Sequence, residues 1–203
     1  MNRKFLRLIL LLLAAVTITP ARAFSMDESK AISTLRQKAE QGDAWGQDLL
    51  GMLYYYGGPG IKQDYGRAAK WFRLAAQQGD AEAQYFLGRV YYGGQTEDQN
   101  FAEAAKWFQL SAQQGYAAAQ FNIGVMYSNG QGVKQDSVEA VKWYRLAATQ
   151  GFAEAQFNLG VAYNNGAGVE KSFAKAKEWF KISCDSGLER GCTQYQALLR
   201  KGY

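Results

Sequence analysis

Two short patterns in the chain could belong to a catalytic or ligand-binding site. Ser172-Phe-Ala-Lys175 reads S-x-x-K, the nucleophile motif of penicillin-recognising serine enzymes. Gly130-Gln-Gly132 and Gly166-Ala-Gly168 carry paired glycines of the kind found in loops that hold phosphate. Neither pattern has its companions. The S-D-N and K-T-G motifs are missing, and the glycine pairs lack the preceding strand and the lysine of a P-loop.

The residue types argue further against catalysis. The chain contains no histidine and two cysteines. Without imidazole it has no Ser-His-Asp or Cys-His pair and no histidine metal ligand, and two thiols cannot form a four-thiolate zinc site. We therefore expect no metal and no cofactor, and we predict that the protein is not an enzyme.

The positive charge of the chain is concentrated at its amino terminus. Lys and Arg number 23 against 18 Asp and Glu, a net charge of +5. Four of the basic residues and none of the acidic ones lie in residues 1–23, so 19 basic residues remain against 18 acidic, a net of +1. Because nucleic acid is bound through an excess of Lys and Arg, we expect no nucleic-acid partner.

Residues 1–23 have the organisation of an export signal. Three positive charges in Met1–Arg7 precede the apolar run Leu8–Val16, which is shorter than the roughly 20 apolar residues that span a bilayer. Ala21-Arg22-Ala23 supplies the small-x-small pattern that signal peptidase reads. We predict cleavage after Ala23, a periplasmic or secreted protein, and no stable membrane anchor. The alternative is an uncleaved amino-terminal anchor.

A 36-residue period runs through most of the remaining chain. It is kept by four tryptophans, Trp71, Trp107, Trp143 and Trp179, and by four glycines, Gly79, Gly115, Gly151 and Gly187. The period divides the chain into units 43–79, 80–115, 116–151 and 152–187, the first of which has one extra residue in a glycine-rich turn. Repeats of this length are typical of stacked supersecondary units.

Each unit reads as two antiparallel helices. In the third unit the first helix presents one apolar stripe of Ala119, Ile123, Gly124 and Tyr127. Glycine inside a helix costs about 1 kcal/mol relative to alanine, so its recurrence in this stripe predicts a neighbouring helix too close for a side chain. The second helix carries Ala-x-x-Trp-aromatic, and we assign its tryptophans, such as Trp71, to the core.

Polar residues mark where the second helices begin. The position before each of them holds an N-cap residue: Asp64, Asn100, Asp136 or Ser172. We therefore interpret the serine of S-x-x-K as a helix cap. Glu103 and Glu139 follow three residues after their caps and predict capping boxes. The G-x-G pairs recur once per unit between helices, and we interpret them as turns.

The repeat resembles a known family. Ala-Glu-Ala-Gln-Phe-Asn-Leu-Gly-Val-Ala-Tyr-Asn-Asn-Gly-Ala-Gly-Val, residues 153–169, followed by Ala176 and Trp179, closely resembles the Sel-1-like repeat, a relative of the tetratricopeptide repeat. The resemblance implies an all-α fold, a right-handed α-solenoid of about four helix pairs with a concave face lined by the first helices. It also implies a scaffold or adaptor that binds proteins. We expect residues 24–42 and 188–203 to form helices that cap the two ends.

The two cysteines replace residues that the other units share. Cys184 stands where earlier units have Ala76, Ala112 and Ala148, and Cys192 where they have Gln84, Gln120 and Gln156. Cysteine-rich members of the resembled family carry the same C-x7-C spacing as a disulfide between neighbouring helices. The resemblance and the predicted export together imply a Cys184–Cys192 disulfide. The alternative is a pair of reactive thiols.

Four residues on the inferred concave side are not required by the repeat. They are Trp45, Tyr55, Arg89 and Tyr92, which depart from what the other units hold at the same positions. Trp, Tyr and Arg dominate the energetics of protein interfaces, so we predict a partner-binding site at these four residues. The alternative is that terminal repeats vary simply to form a cap.

The functional prediction is an exported, non-catalytic adaptor that binds a protein partner of unknown identity through its concave face. Two narrower versions stay open: an immunity protein against a type VI secretion effector, and a secreted host-interaction factor. An alternative of another class is β-lactam binding or hydrolysis, which some cysteine-rich members of the resembled family suggest.

Overall fold

The structure, a computed structural model, describes residues 21–58, 60–94 and 99–203. In these ranges the chain forms helices joined by short turns: α1 (Ala21–Glu40), α2 (Ala44–Tyr56), α3 (Tyr65–Gln77), α4 (Ala81–Gly93), α5 (Phe101–Gln113), α6 (Ala117–Asn129), α7 (Ser137–Thr149), α8 (Ala153–Asn165), α9 (Phe173–Asp185) and α10 (Glu189–Arg200). The fold class is that of an all-α repeat solenoid, as the resemblance implied. The predicted signal peptide lies outside the described residues, except that positions 21–23 begin α1.

The chain divides into two compact units, residues 1–98 and 99–203, which we call unit 1 and unit 2. The 36-residue units of the sequence are called repeats from here on. In unit 1 each of the helices α1 to α4 packs on the next, and in unit 2 the same holds for α5 to α10. Among the described residues, no helix combines the length and the apolar character needed to cross a membrane.

The predicted N-caps are confirmed. The side chains of Asp64, Asn100 and Asp136 each accept a hydrogen bond from a backbone N–H in the first turn of their helix. The capping box at Glu139 is not formed as predicted. The Asp136 N–H donates instead to the Tyr127 carbonyl at 2.9 Å, and the Glu139 carboxylate pairs with Lys142 at 2.7 Å. The preceding repeat helix therefore satisfies the donor that the glutamate would have bonded.

Small residues of the first helices receive large residues of the second helices, as the sequence predicted. A Cβ at Gly124 would lie 2.8 Å from the Tyr144 ring, and one at Gly160 would lie 2.5 Å from the Phe180 ring. The assignment of Trp71 to the core is wrong, because its side chain is only partly buried. The fully buried ring belongs to the following residue, Phe72, since that position faces the glycine of the first helix.

A glutamine joins each second helix to the first helix that follows it. The amide Nε2 atoms of Gln47, Gln84, Gln120 and Gln156 donate to the carbonyl oxygens of Ala39, Ala76, Ala112 and Ala148 at 3.1 to 3.3 Å. Each bond is buried and spans eight residues. At the last junction the same eight-residue spacing is occupied by Cys184 and Cys192, which form a disulfide.

Candidate functional site

The S-x-x-K pattern belongs to a helix start. The Ser172 Oγ accepts a hydrogen bond from the Lys175 backbone N–H at 3.3 Å. The Lys175 ammonium lies over the Tyr163 ring, 5.4 Å from its centroid. The interpretation of Ser172 as a helix cap is therefore confirmed. The two polar groups of the pattern take part in different contacts rather than in a nucleophile–base pair.

The G-x-G pairs are turns that pass close to another helix. Gly132 and Gly168 have φ angles of 69° and 73°, in the left-handed region that favours glycine. A Cβ at Gly132 would lie 2.1 Å from the Phe101 carbonyl oxygen, and one at Gly168 would lie 2.1 Å from the Ser137 carbonyl oxygen. Both glycines are thus explained by backbone packing. Among the described residues, no group of three or more His, Cys, Asp or Glu could hold a metal ion.

Arg89 lies in the middle of a group of aromatic side chains in unit 1. Its Cζ is 5.3 Å from the Tyr55 ring centroid and 5.8 Å from the centroids of both Tyr85 and Phe86. The guanidinium also interacts with the hydroxyls of Tyr56 and Tyr85, and both interactions favour its charged form. We call these five residues, Tyr55, Tyr56, Tyr85, Phe86 and Arg89, the Arg89 cluster. Helices α2 and α4 supply all of them.

The electrostatics of the Arg89 cluster are those of a cation among phenols. Burial raises the pKa of Tyr55 and of Tyr85 above 10.0, and the positive charge of Arg89 opposes that rise at both residues. Among the described residues, the groups that raise the pKa of Arg89 most are the tyrosines Tyr85, Tyr55 and Tyr56. The aromatic rings therefore hold the guanidinium in place by cation–π contact without neutralising its charge.

The structure brings together only some of the four predicted site residues. Tyr55 and Arg89 are in contact, and Tyr92 lies one helical turn beyond Arg89 on α4. Trp45 lies ten residues before Tyr55 on α2, about 15 Å along the helix axis. Trp45 is 47% exposed, whereas Tyr55 is 4% exposed. Tyr55 is thus buried against Arg89 and is not itself part of the exposed surface.

Sequence reasoning missed three members of the cluster, of which Tyr85 has aromatic equivalents, Phe121 and Phe157, at the same repeat position. Tyr56 is 46% exposed, and its ring centroid is 4.9 Å from that of Tyr55. Phe86 is buried and stacks on Phe72, with ring centroids 5.1 Å apart. Both could have been found, because each departs from its repeat position. Later repeats have Gly93, Asn129 and Asn165 in place of Tyr56, and the last two repeats have Asn122 and Asn158 in place of Phe86.

The periodic helix pairs and their junctions define a family. The Sel1 repeat matches residues 46–80, 81–116, 117–152 and 153–188. The chain therefore belongs to the Sel1 repeat family, whose members typically mediate interactions between proteins. Comparison with curated proteins gives no match.

Solved structures show the same architecture. A protective antigen of uropathogenic Escherichia coli with an SLR fold is 40% identical, with a TM-score of 0.81 over 84% of this chain. This chain spans 36% of that protein's length. A Sel1 repeat protein of Oxalobacter formigenes is 29% identical, with a TM-score of 0.76, over 88% of this chain and 73% of that one. The immunity protein Pa5087 of Pseudomonas aeruginosa, 20% identical with a TM-score of 0.50 over 80% of this chain and 60% of that one, shares the fold alone.

Proposed function

We propose that the protein is an exported, non-catalytic scaffold that binds a protein partner through the α2–α4 face of unit 1. The proposed contact residues are Trp45, Arg89 and Tyr92, together with the exposed Tyr56. Tyr55 holds Arg89 in position. The observation that carries the proposal is the Arg89 cluster, in which a half-buried cation rests on three aromatic rings.

The chemistry of this face favours a partner that presents a carboxylate. A guanidinium has five N–H groups, so Arg89 keeps donors for a partner besides those that face the Tyr56 and Tyr85 hydroxyls, and carboxylates are its preferred bidentate acceptors. Trp, Tyr and Arg are also the residue types most enriched at energetic hot spots. The Sel1 family assignment supports a protein as the partner.

Photocrosslinking tests where the partner binds. A photoreactive phenylalanine analogue placed at Tyr92 should capture the partner in the producing cell. The matched control carries the analogue at Leu74, which is 37% exposed on α3, the second helix of the preceding repeat. Equal capture from both positions, or capture from Leu74 alone, would contradict the proposed face.

The contribution of Arg89 is tested once that partner is in hand. Arg89→Ala should weaken binding by on the order of 1–3 kcal/mol, roughly 5- to 150-fold, as expected for an interface anchor. Arg89→Lys should recover only part of the loss, because lysine keeps the charge but not the bidentate geometry. Unchanged affinity in Arg89→Ala would show that the partner binds elsewhere.

Export is supported by the disulfide, because disulfides persist in oxidising compartments such as the periplasm. We expect mass spectrometry of the cell-derived protein to find Phe24 at the amino terminus, which would establish cleavage after Ala23. An intact Met1 in the fraction released by osmotic shock would contradict the predicted cleavage.

A second candidate is exposure to a host. It is favoured by the 40% identical relative from uropathogenic Escherichia coli, which is a protective antigen. Antibodies against this protein should then label intact cells, whereas a periplasmic scaffold would be labelled only after the outer membrane is opened. The immunity version gains no support beyond a shared fold.

A further inference from the structure

Unit 2 contains an open cavity between α6, α7 and α8. Its volume is about 310 Å³, at the lower end of the range found for ligand-binding clefts, about 300–1,000 Å³. Its walls include Val125 and Ser128 of α6, Tyr144 of α7, and Asn158 and Val161 of α8. None of the described residues that line it is charged.

The repeat period shows what has been removed to open this cavity. Four lining or adjoining positions have equivalents in unit 1: Ser128 corresponds to Tyr55, Tyr144 to Phe72, Asn158 to Phe86 and Val161 to Arg89. Two aromatic rings and one guanidinium of unit 1 are thus replaced in unit 2 by a hydroxyl, a primary amide and an isopropyl group. The ring of the second helix is kept.

In unit 1 the equivalent space is filled by the protein's own side chains. The Phe86 ring lies nearly parallel to the Phe72 ring, with an interplanar angle of 11°. The Tyr55 ring meets Phe86 edge-on at 5.3 Å, and Arg89 lies over both. Unit 1 therefore demonstrates that an aromatic ring fits against the second-helix ring at this point of the repeat.

The polar groups of the cavity favour a ligand that carries a polar group in addition to an aromatic ring. The side chains of Asn158 and Ser128 lie near the Tyr144 hydroxyl and oppose the rise that burial causes in the pKa of Tyr144. Asn158 has further donor and acceptor capacity, since its amide offers two N–H groups and an oxygen. Because the lining is neutral, burying a charged group there would carry an uncompensated desolvation cost. An uncharged aromatic group with one hydroxyl matches both the shape and the chemistry.

We propose that this cavity receives the side chain of a tyrosine from a protein partner. The tyrosine ring takes the place that Phe86 occupies in unit 1 and packs between Tyr144 and the valines of α6 and α8. Its hydroxyl bonds the Asn158 amide. This site is separate from the Arg89 cluster and shares with the proposed function only the premise that the partner is a protein.

Methyl NMR of the full protein, labelled at valine, tests the proposal with defined probes. N-acetyl-tyrosine amide should shift the Val125 and Val161 methyl signals saturably, and at least threefold more tightly than N-acetyl-phenylalanine amide, which lacks the hydroxyl. N-acetyl-leucine amide and N-acetyl-aspartate amide should leave these signals unchanged. Absence of a saturable shift with the tyrosine probe, or equal binding of the leucine probe, would overturn the proposal.

Variants that introduce unit 1 residues into the cavity test where the tyrosine probe binds. Asn158→Phe supplies the ring that unit 1 has at this position and should lower the affinity for the tyrosine probe at least tenfold. The control Leu146→Phe adds the same ring at an exposed position of α7 and should leave the affinity unchanged. Should Asn158→Phe fail to fold, Val161→Arg serves the same purpose. Unchanged affinity in a folded cavity variant would place the probe elsewhere.

Two further arms separate this site from other interpretations. 4-Methylphenol carries the ring and hydroxyl of tyrosine and should compete with N-acetyl-tyrosine amide for the cavity, whereas binding of both without competition would place the tyrosine probe elsewhere. Arg89→Ala should leave binding of the tyrosine probe unchanged. The cavity can therefore be verified even if the α2–α4 face proves not to bind a partner, and the reverse also holds.

Discussion

Units 1 and 2 use one backbone plan with opposite contents at equivalent points. In unit 1, Phe72, Phe86 and Tyr55 fill the space between the first helices, and Arg89 covers them. In unit 2 the same space is a neutral cavity beside Tyr144. The second helix and its ring are common to both units. The repeat thus determines the helical framework. The residues at positions that the repeat does not require decide whether the space is filled and positively charged, as in unit 1, or open and neutral, as in unit 2.

The units also differ in how a second helix is fastened to the next helix. Unit 1 uses the Gln47 and Gln84 amide bonds, and unit 2 uses the same bond at Gln120 and Gln156 but ends in the disulfide at the same spacing. The last helix pair, α8 and α9, also lacks a contact that other pairs have. Gln78 and Gln150 donate to the side-chain oxygens of Gln47 and Gln120, but Ser186 holds the equivalent position at the end of α9. There the Gln156 Oε1 is buried and has no hydrogen-bond partner among the described residues.

The largest expected effect comes from removing a buried ring of unit 1. Phe72→Ala should lower the free energy of unfolding by about 3–5 kcal/mol, because the ring is fully buried and its loss leaves a cavity. Tyr144→Ala should cost less, since that ring already borders open space that the neighbouring side chains can occupy. Urea denaturation followed by tryptophan fluorescence measures both. Equal losses would show that the cavity does not loosen the packing of Tyr144.

The disulfide gives the next effect. Its loop of nine residues implies a stabilisation of about 2–3 kcal/mol in the chain-entropy model. Replacing both Cys184 and Cys192 by Ala should increase hydrogen exchange in α10 while leaving α6 to α8 protected, because neighbours in a repeat stack unfold locally. The variant Cys184→Ala/Cys192→Gln rebuilds the glutamine junction and should recover about 0.5–1.5 kcal/mol. Uniform loss of protection along unit 2 would contradict this local role.

Two glycines test whether the open site has more freedom than the filled one. A Cβ at Gly51 would lie 2.6 Å from the Phe72 ring, and one at Gly124 would lie 2.8 Å from the Tyr144 ring. Overpacking costs about 1–3 kcal/mol, and we expect Gly51→Ala to fall in that range. Gly124→Ala should be less destabilising because Tyr144 can move toward the cavity. Urea denaturation measures the loss of stability in both variants. A larger loss for Gly124→Ala would contradict the expectation that the open site accommodates a methyl group more easily.

Features that recur with the repeat could be predicted from the sequence, whereas features that depend on a single side-chain contact could not. The helix pairs, the N-caps and the close approach at Gly124 follow from residue types that recur every 36 positions. The burial of Tyr55 could not be read in this way, because it depends on Phe86, a residue two helices away that departs from its repeat position. The cavity was missed for the same reason. Asn158 and Ser128 look ordinary until they are compared with the rings of unit 1.

The smallest expected effect concerns the charge of Arg89 and separates the two sites electrostatically. Arg89→Ala removes cation–π contacts worth about 0.5–1 kcal/mol of stability. It also removes the positive charge that lowers the pKa of Tyr55 and Tyr85, so both values should rise further above 10.0. Burial raises the pKa of Tyr144, and the nearby Asn158 and Ser128 side chains oppose that rise, so Tyr144 should titrate as before in Arg89→Ala.

These pKa shifts fix the sign of the alkaline response to Arg89→Ala. A tyrosine whose pKa is raised by folding contributes stability that is fully present below its unfolded pKa of 10.0 and is lost as the pH rises through the folded value. Because the variant widens the gap between the two values at Tyr55 and Tyr85, its unit 1 should lose more stability than the parent above pH 10. Absorbance at 295 nm reports phenolate formation, and hydrogen exchange of α2 and α4 reports the stability of unit 1. An unchanged tyrosine titration would mean that the Arg89 charge is already neutralised, and the partner carboxylate proposed for this face would then have no charge to meet.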